Sequence, residues 1–249
     1  MSTRVAIVTG GGRGIGAATA MQLARNGYSI AVNFVSNEQA ALQIVTDIEA
    51  LDGTALAVQA DVADESDVIR LFATVDAQLG PVTALVNNAG IVLPQTRVDT
   101  MDGVRIDRIL HTNVTSCFLC CREAVRRMSK NRGGSGGSIV NVSSVASRTG
   151  SPGEYVDYAA SKGAIDTLTR GLSLEVADEG IRVNCVRPGF IYTEMHADGG
   201  EPDRVDRLAS GIPMRRGGTP EEVANAICWL LSDEAAYVSG SFIDVAGGR

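Results

Sequence analysis

Runs of β-branched and aliphatic residues alternate along this chain with longer amphipathic stretches, and that alternation leaves few folds open. The apolar runs are Val5–Thr9, Ser29–Asn33, Ala55–Gln59, Ala84–Asn87, Ser138–Val142, Arg182–Val186 and Ser241–Val245. Between them the spacing predicts helices, the first opening at Gly14 and others over Asn37–Leu51, Glu65–Leu79, Val104–Asn131, Val156–Glu179 and Pro220–Leu231. Strands separated by helices cannot form hairpins, so they pair in parallel and are covered on both faces. The expected fold is α/β: a doubly wound parallel sheet of about seven strands.

A length of 249 residues with 45% hydrophobic content suits one enzyme-sized domain spanning 1–249. No period of 20–50 residues recurs, which excludes a solenoid or propeller. The tract Gly133–Gly137 reads as a helix-to-strand loop. The irregular stretch from Pro188 to Pro220 follows a strand's carboxyl end, where ligands bind in such sheets, so a substrate lid is expected at about 190–218. A net charge of -7 argues against nucleic acid or an anionic membrane as partner and leaves small molecules. No apolar run reaches the roughly 18 residues of a membrane span, and Met1 to Arg4 lead directly into an apolar run without a signal-peptide layout, so a cytoplasmic protein is expected. The five cysteines are scattered and odd in number, which is no disulfide framework. Cys117 and Cys120 have a Cys-x-x-Cys spacing, but no second pair follows and His111 is the one imidazole nearby; core positions are expected, with no metal site.

After the first apolar run comes Thr9-Gly10-Gly11-Gly12-Arg13-Gly14-Ile15-Gly16. Glycines between a strand and a helix let the backbone turn sharply and approach a pyrophosphate, which the helix N-terminus stabilises. No Gly-Lys-[Ser/Thr] closes the loop, which disfavours a P-loop. In NAD-preferring folds an acid about 20 residues on takes the ribose hydroxyls. Here the region reads Asn33-Phe34-Val35-Ser36-Asn37, and Glu38 already belongs to the next helix. With Ser36 and Asn37 able to donate hydrogen bonds, Asn33 beside them and Arg13 as a cation, the expectation is NADP(H) over NAD(H); the bland alternative for Arg13 is a solvated loop cation. Asp61 either accepts from the adenine amino group, beside Val62, or caps the helix that follows. Asn87-Asn88-Ala89-Gly90 ends the fourth run with two amides and small residues, as a crowded crevice requires.

Tyr158 and Lys162 stand four residues apart, one helical turn, on one face. A cation beside a phenol favours the phenolate, which lets a tyrosine exchange protons with a carbonyl or alcohol oxygen.

Together these residues resemble the short-chain dehydrogenase/reductase family in its single-domain, Rossmann-like form. Its Thr-Gly-x-x-x-Gly-x-Gly motif is matched by Thr9 to Gly16, its Asn-Asn-Ala-Gly by Asn87 to Gly90, its helix asparagine by Asn113, its Tyr-x-x-x-Lys by Tyr158 to Lys162 and its Pro-Gly turn by Pro188-Gly189. The family's active-site serine falls at Ser143 or Ser144; Ser144 is the choice, one residue farther from the tyrosine than is usual, as a single insertion between 148 and 157 would make it. Tyr155 has Ala159 in place of a lysine and is excluded as the catalytic tyrosine. The resemblance implies hydride transfer between a nicotinamide and a carbonyl or secondary alcohol. It assigns Tyr158 as general acid/base, Ser144 as its partner on the substrate oxygen, Lys162 as ligand of the nicotinamide ribose, and Asn113 as holder of a water in a proton relay. Pro188, Gly189, Ile191 and Thr193 would border the nicotinamide. Relatives of this form include 3-oxoacyl thioester reductases and sugar or polyol dehydrogenases.

Three functional readings compete: the oxidoreductase, a catalytically idle dinucleotide-binding sensor or scaffold, and a sugar-nucleotide epimerase. The intact Ser144, Tyr158 and Lys162 weigh against the second, and the short chain leaves little room for the substrate domain of the third. Glu154, Tyr155, Tyr192, Met195 and His196 flank the expected pocket without naming a substrate. The helices over 104–131 and 156–179 carry more apolar residues than one buried stripe needs, including Ile165, Leu168, Leu172 and Leu174. The resemblance makes these helices the interface of a homotetramer; Gly240–Arg249 meets either a neighbour or its own chain.

Overall fold

The computed structural model describes residues 4–249. Seven strands form where the apolar runs lie: β1 (Arg4–Val8), β2 (Tyr28–Phe34), β3 (Ala55–Gln59), β4 (Ala84–Asn87), β5 (Gly137–Val142), β6 (Ile181–Pro188) and β7 (Phe242–Val245). They pair in parallel throughout, in the order β3-β2-β1-β4-β5-β6-β7. From β1 the chain winds outward to β3, then returns past β1 to begin the other half at β4. The strand order therefore reverses between β1 and β4, whose register sets Ile7 beside Leu85 and Val8 beside Val86, and a crevice opens beyond their carboxyl ends.

The helices are α1 (Gly14–Arg25), α2 (Glu38–Glu49), α3 (Glu65–Gln78), α4 (Gly103–Leu110), α5 (Ser116–Met128), α6 (Ala146–Thr149), α7 (Val156–Glu175), α8 (Met195–Asp198), α9 (Arg204–Ala209) and α10 (Pro220–Leu231). Two apolar clusters fill the spaces on either side of the sheet. Val5 and Ile7 join α3, α5 and α7 in one; Ala6 and Val8 join α1, α2 and α10 in the other. Successive β1 residues thus feed opposite cores, which is why the strand reads as an unbroken apolar run. The five cysteines are free and buried, packed as small apolar side chains. Burial pushes the thiols of Cys185 and Cys228 up to about 12.

Three of the helices that flank the sheet begin with an explicit cap. The side chain of Asn37 accepts from the Ala40 N–H before α2, and that of Asp64 accepts from the Asp67 N–H before α3. Thr219 and Glu222 form a reciprocal capping box at α10, with Pro220 in the first turn. α1 is different: Arg13 stands at its N-cap with no side-chain bond, and its first turn holds no acid.

Three expectations change. The helix expected over Val104–Asn131 is broken into α4 and α5 by a π-helical segment, His111–Thr115. Its cause is Asn113, which grips the backbone of Ile91 through both its N–H, at 2.8 Å, and its carbonyl, at 3.0 Å, and so widens the turn. Of the four apolar residues of α7 counted above as more than one buried stripe needs, Ile165 is buried and Leu168 and Leu172 pack partly against the core; Leu174 alone is open, 75% exposed. The exposed apolar side chains of this side of the molecule lie mainly on α4 and α5, at Ile106, Leu110 and Phe118. The third change is in the irregular stretch after β6, which carries the two short helices α8 and α9. Among the described residues, no helix is long and apolar enough to cross a membrane.

Phe72 is fully buried on α3, with the Arg127 guanidinium 5.0 Å from its ring centroid. Phe72→Ala is expected to cost about 3–5 kcal/mol of unfolding free energy. Urea titration checks this; a loss below about 1 kcal/mol would contradict the packing described.

Candidate active site

The crevice between β1 and β4 is held by a small set of hydrogen bonds. The buried Thr9 hydroxyl accepts from the N–H groups of Asn88 and Ala89, both at 3.0 Å, and donates to the Val86 carbonyl at 3.3 Å. The Asn88 amide donates to the carbonyls of Thr9 and Gly10, at 2.9 and 3.1 Å. The end of β4 therefore fixes the path of the glycine loop. Gly10 lies at φ +61°, in the left-handed region where a side chain is strained. A Cβ on Gly16 would sit 2.3 Å from the Gly10 carbonyl oxygen and 2.6 Å from the Asn88 amide nitrogen. Glycine is the residue that lets the loop and the first turn of α1 approach this closely.

This cradle suits a dinucleotide. The first turn of α1 presents backbone N–H groups with no capping side chain and no acid of its own, which suits a pyrophosphate, and the Glu194 carboxylate stands beside it, 3.6 Å from where a Cβ on Gly14 would sit. Gly12, Gly14 and Ile15 complete the turn, and Ile15 and Asn88 reach the cleft described below. At the adenosine end Ser36 is exposed and Val62 is buried.

At this end one assignment is corrected, that of Asn33, and one of the two readings of Asp61 falls away. Asn33, 1% exposed, donates its amide to the carbonyls of Ala60 and Val58, at 2.9 and 3.3 Å, and accepts from the Gly10 N–H at 3.3 Å. It shapes the glycine loop from below instead of facing a ligand. Asp61 is not the cap of α3, which is Asp64; one Asp61 oxygen accepts from the Ala63 N–H at 3.0 Å in a local turn. Arg13 is also engaged: its guanidinium meets the Asp198 carboxylate at 2.6 Å, joining the glycine loop to α8.

The neighbouring strands β5 and β6 and helix α7 bring the other motif residues together. Tyr158 and Lys162 lie on one face of α7, with the Lys162 Nζ 5.5 Å from the Tyr158 ring centroid. That ammonium donates to the Val142 carbonyl at 2.8 Å, and a Cβ on Gly90 would lie 3.5 Å from it. The two serines divide the work. Ser143 is 2% exposed and donates to the Lys162 carbonyl at 3.1 Å, while the Ser144 hydroxyl accepts from the Ala146 N–H at 3.1 Å and has only a long, 3.5 Å contact with the Pro188 carbonyl. Pro188 ends β6, and a Cβ on Gly189 would lie 2.9 Å from Ala246, so the turn packs directly on the segment after β7.

Ser144, Tyr158, Lys162, Gly189, Ile191 and Thr193 all border one cleft of about 370 Å³. Behind Lys162 a cavity of about 10 Å³, bordered by Asn87, Asn113 and Ser116, has room for about one water. The Asn113 side chain also donates to the Ser161 hydroxyl at 3.0 Å.

The outer part of the cleft is closed by α8 and α9. Tyr155 donates its hydroxyl to the Gly199 carbonyl at 3.3 Å, Gln95 donates to Glu201 at 2.7 Å, and Arg204 is paired with both Glu154 and Glu201. Glu154, Tyr155, Met195 and His196 border the cleft as expected. Tyr192 does not: its hydroxyl donates to Asp206 of α9 at 2.7 Å, at an exposed position. The cleft also holds residues that the motifs did not suggest, Val92, Phe190 and the buried Arg204, whose guanidinium lies 5.0 Å from the Tyr155 ring centroid. An arginine in a glycine- and proline-rich loop carries no local signal of burial. It is drawn in by Glu154, fifty residues earlier.

The chain matches the family model described as Enoyl-(Acyl carrier protein) reductase over residues 10–249. It is 65% identical over 245 residues to YgfF of Escherichia coli, described as an uncharacterized oxidoreductase, with 98% of this chain and 99% of the relative covered. It is also similar to the 3-oxoacyl-[acyl-carrier-protein] reductase FabG of Staphylococcus aureus, 37% identical over 246 residues, covering 99% and 98% of the two chains. A third relative, the 3-oxoacyl-[acyl-carrier-protein] reductase of Synechocystis, is 38% identical over 252 residues, covering 100% and 97%. The chain belongs to the short-chain dehydrogenase/reductase family. It is thereby an oxidoreductase, and the seven-stranded parallel sheet accords with that family's Rossmann-like fold.

His196 donates from Nε2 to the Ile191 carbonyl at 3.0 Å, and burial holds its pKa below the ordinary value of 6.5. The neutral ring is therefore the folded form, and the fold loses this contribution as pH falls below about 6.5, where the unfolded chain takes up the proton. With two histidines in the chain, a proton NMR titration resolves them. His196 is expected to titrate below the ordinary value of 6.5, and a midpoint at or above that value would contradict its burial.

Proposed function

We propose that the protein is a reductase of carbonyl compounds, or the reverse alcohol dehydrogenase, that prefers NADP(H) and uses Tyr158 as general acid/base. The observation that carries this reading is the meeting of Ser144, Tyr158 and Lys162 at one cleft beside the glycine cradle. A nicotinamide bound there supplies the hydride in reduction and accepts it in oxidation. In reduction, as the substrate carbon gains that electron pair, Tyr158 gives its phenolic proton to the carbonyl oxygen; in oxidation it takes the proton back. Ser144 steadies the same oxygen by a hydrogen bond as negative charge develops. Lys162 has two tasks: its ammonium opposes the charge left on the phenolate, and it binds the hydroxyls of the nicotinamide ribose. Asn113 keeps the π turn in place beside the one-water cavity, which supports a proton path from Lys162 toward solvent.

The coenzyme preference is supported by the adenosine end, where no carboxylate occurs between Asn33 and Asn37 and Arg13 supplies a cation. An idle dinucleotide sensor has no need of the three cleft residues, and the serine division of labour argues against it in particular. The apolar side chains of α4, α5 and α7 support a homotetramer built on those helices. A cytoplasmic location accords with the acidic composition.

A panel of carbonyls, alcohols and enoyl thioesters, assayed with both nicotinamides by the absorbance of the reduced coenzyme, tests the reaction class. Turnover of carbonyls or alcohols with a higher kcat/KM for the 2′-phosphorylated coenzyme is expected. Activity confined to enoyl compounds, or equal efficiency with NAD(H), would overturn the corresponding part of the reading. Tyr158→Phe is expected to lower kcat by about 10²–10⁴-fold with coenzyme affinity close to unchanged. Ser144→Ala should reduce kcat, whereas Ser143→Ala should act on stability more than on turnover; the opposite ranking would move the catalytic role to Ser143. Sedimentation at micromolar concentration should give a tetramer, and a monomer would contradict the interface.

A further inference from the structure

The lid is fastened along two margins. On the substrate side, Gly199, Glu201 and Arg204 are tied to Tyr155, Gln95 and Glu154. On the coenzyme side, Thr193 packs on Gly14, where a Cβ would lie 3.2 Å from the threonine methyl, and Asp198 is bound to Arg13. Arg13 thus meets a carboxylate of its own chain 185 residues away, although it stands at the uncapped start of α1 where a coenzyme's phosphates would gather. Its side chain is 54% exposed and that of Asp198 is 48% exposed, so the pair is open to exchange. Solvent screens such a pair strongly, whereas a phosphate offers the guanidinium more charge and a bidentate set of acceptors.

We propose that Asp198 is a coenzyme-specificity residue: it competes with the adenosine 2′-phosphate for Arg13, so that a phosphorylated coenzyme unpins the lid and an unphosphorylated one leaves it fastened. This rests on the reading above in which Arg13 receives the 2′-phosphate. The carboxylate that occupies Arg13 belongs to α8, which borders the cleft through Met195 and His196, so the exchange is felt at the substrate entrance. NADP(H) would meet a toll at Arg13 that NADH never meets, and would loosen the mouth of the cleft in taking that place. Removing the carboxylate should therefore help one coenzyme only.

The test uses the full-length protein and two probes without a nicotinamide, adenosine 2′,5′-bisphosphate and 5′-ADP, followed by calorimetry and by hydrogen exchange over residues 195–200. Asp198→Asn is expected to tighten the bisphosphate by about two- to fivefold and to leave 5′-ADP unchanged. In the unsubstituted protein the bisphosphate should speed exchange at the α8 amides, including those of Asp198 and Gly199 that bond to Glu194 and Met195, while 5′-ADP does not. In the Asp198→Asn protein these amides should exchange fast without either probe. Arg13→Met separates the two levels of the argument. If that variant loses bisphosphate affinity while Asp198→Asn changes neither affinity nor exchange, the competition is refuted and the role of Arg13 stands. If Arg13→Met leaves the ratio of the two affinities unchanged, the coenzyme reading of Arg13 itself fails. Equal slowing of α8 exchange by both probes would also refute the exchange of partners.

Discussion

The structure depends on what happens where β1 and β4 part. A doubly wound sheet opens a crevice at that point whatever its sequence, but an open crevice between two strand ends is only a gap until something fixes its walls. Here the Thr9 hydroxyl and the Asn88 amide do so, each serving more than one backbone group across the gap. These bonds are short in reach and partly buried, so the glycine loop has one path and not several. The glycines permit that path; the threonine and asparagine select it.

The same site shows how local electrostatics follow from what is left out. α2, α3 and α10 each begin with a side chain that satisfies their free N–H groups. At α1 the equivalent position is an arginine whose side chain points away to another partner, and the first turn carries no acid. Its N–H groups keep their capacity for an anionic ligand. A helix that forgoes the stability of a cap at a ligand-binding crevice exchanges fold stability for binding, and the two cores flanking the sheet are large enough to carry that loss.

How far the chain can be read without coordinates depends on the range of the interaction concerned. The strands are legible because a residue buried on both sides of a sheet must be apolar regardless of its neighbours, and the glycine loop because its backbone geometry excludes other residues. The tyrosine and lysine are legible because helical spacing alone places them together. Asn33 is the instructive failure. A polar residue at the end of β2 has the same local appearance whether it faces a ligand or spends its amide on Ala60 and Gly10, and only the pairing of β2 with β3 decides. The π segment at Asn113 is hidden for a similar reason: it is imposed by Ile91, more than twenty residues earlier, and no propensity within 104–131 announces it. Arg204 and the lid contacts lie further still from local rules, since each depends on where two loops meet.

The double grip of Asn113 on Ile91 has a mechanical side. By holding both the N–H and the carbonyl of one residue, it welds the helix pair α4–α5 to the loop after β4, the loop that contributes Val92 to the rim of the cleft. Phe118 is carried outward on the same rigid body. The surface beside Phe118 and the rim at Val92 therefore share one anchoring point, and a contact made on α5 bears on the same two hydrogen bonds that hold the entrance.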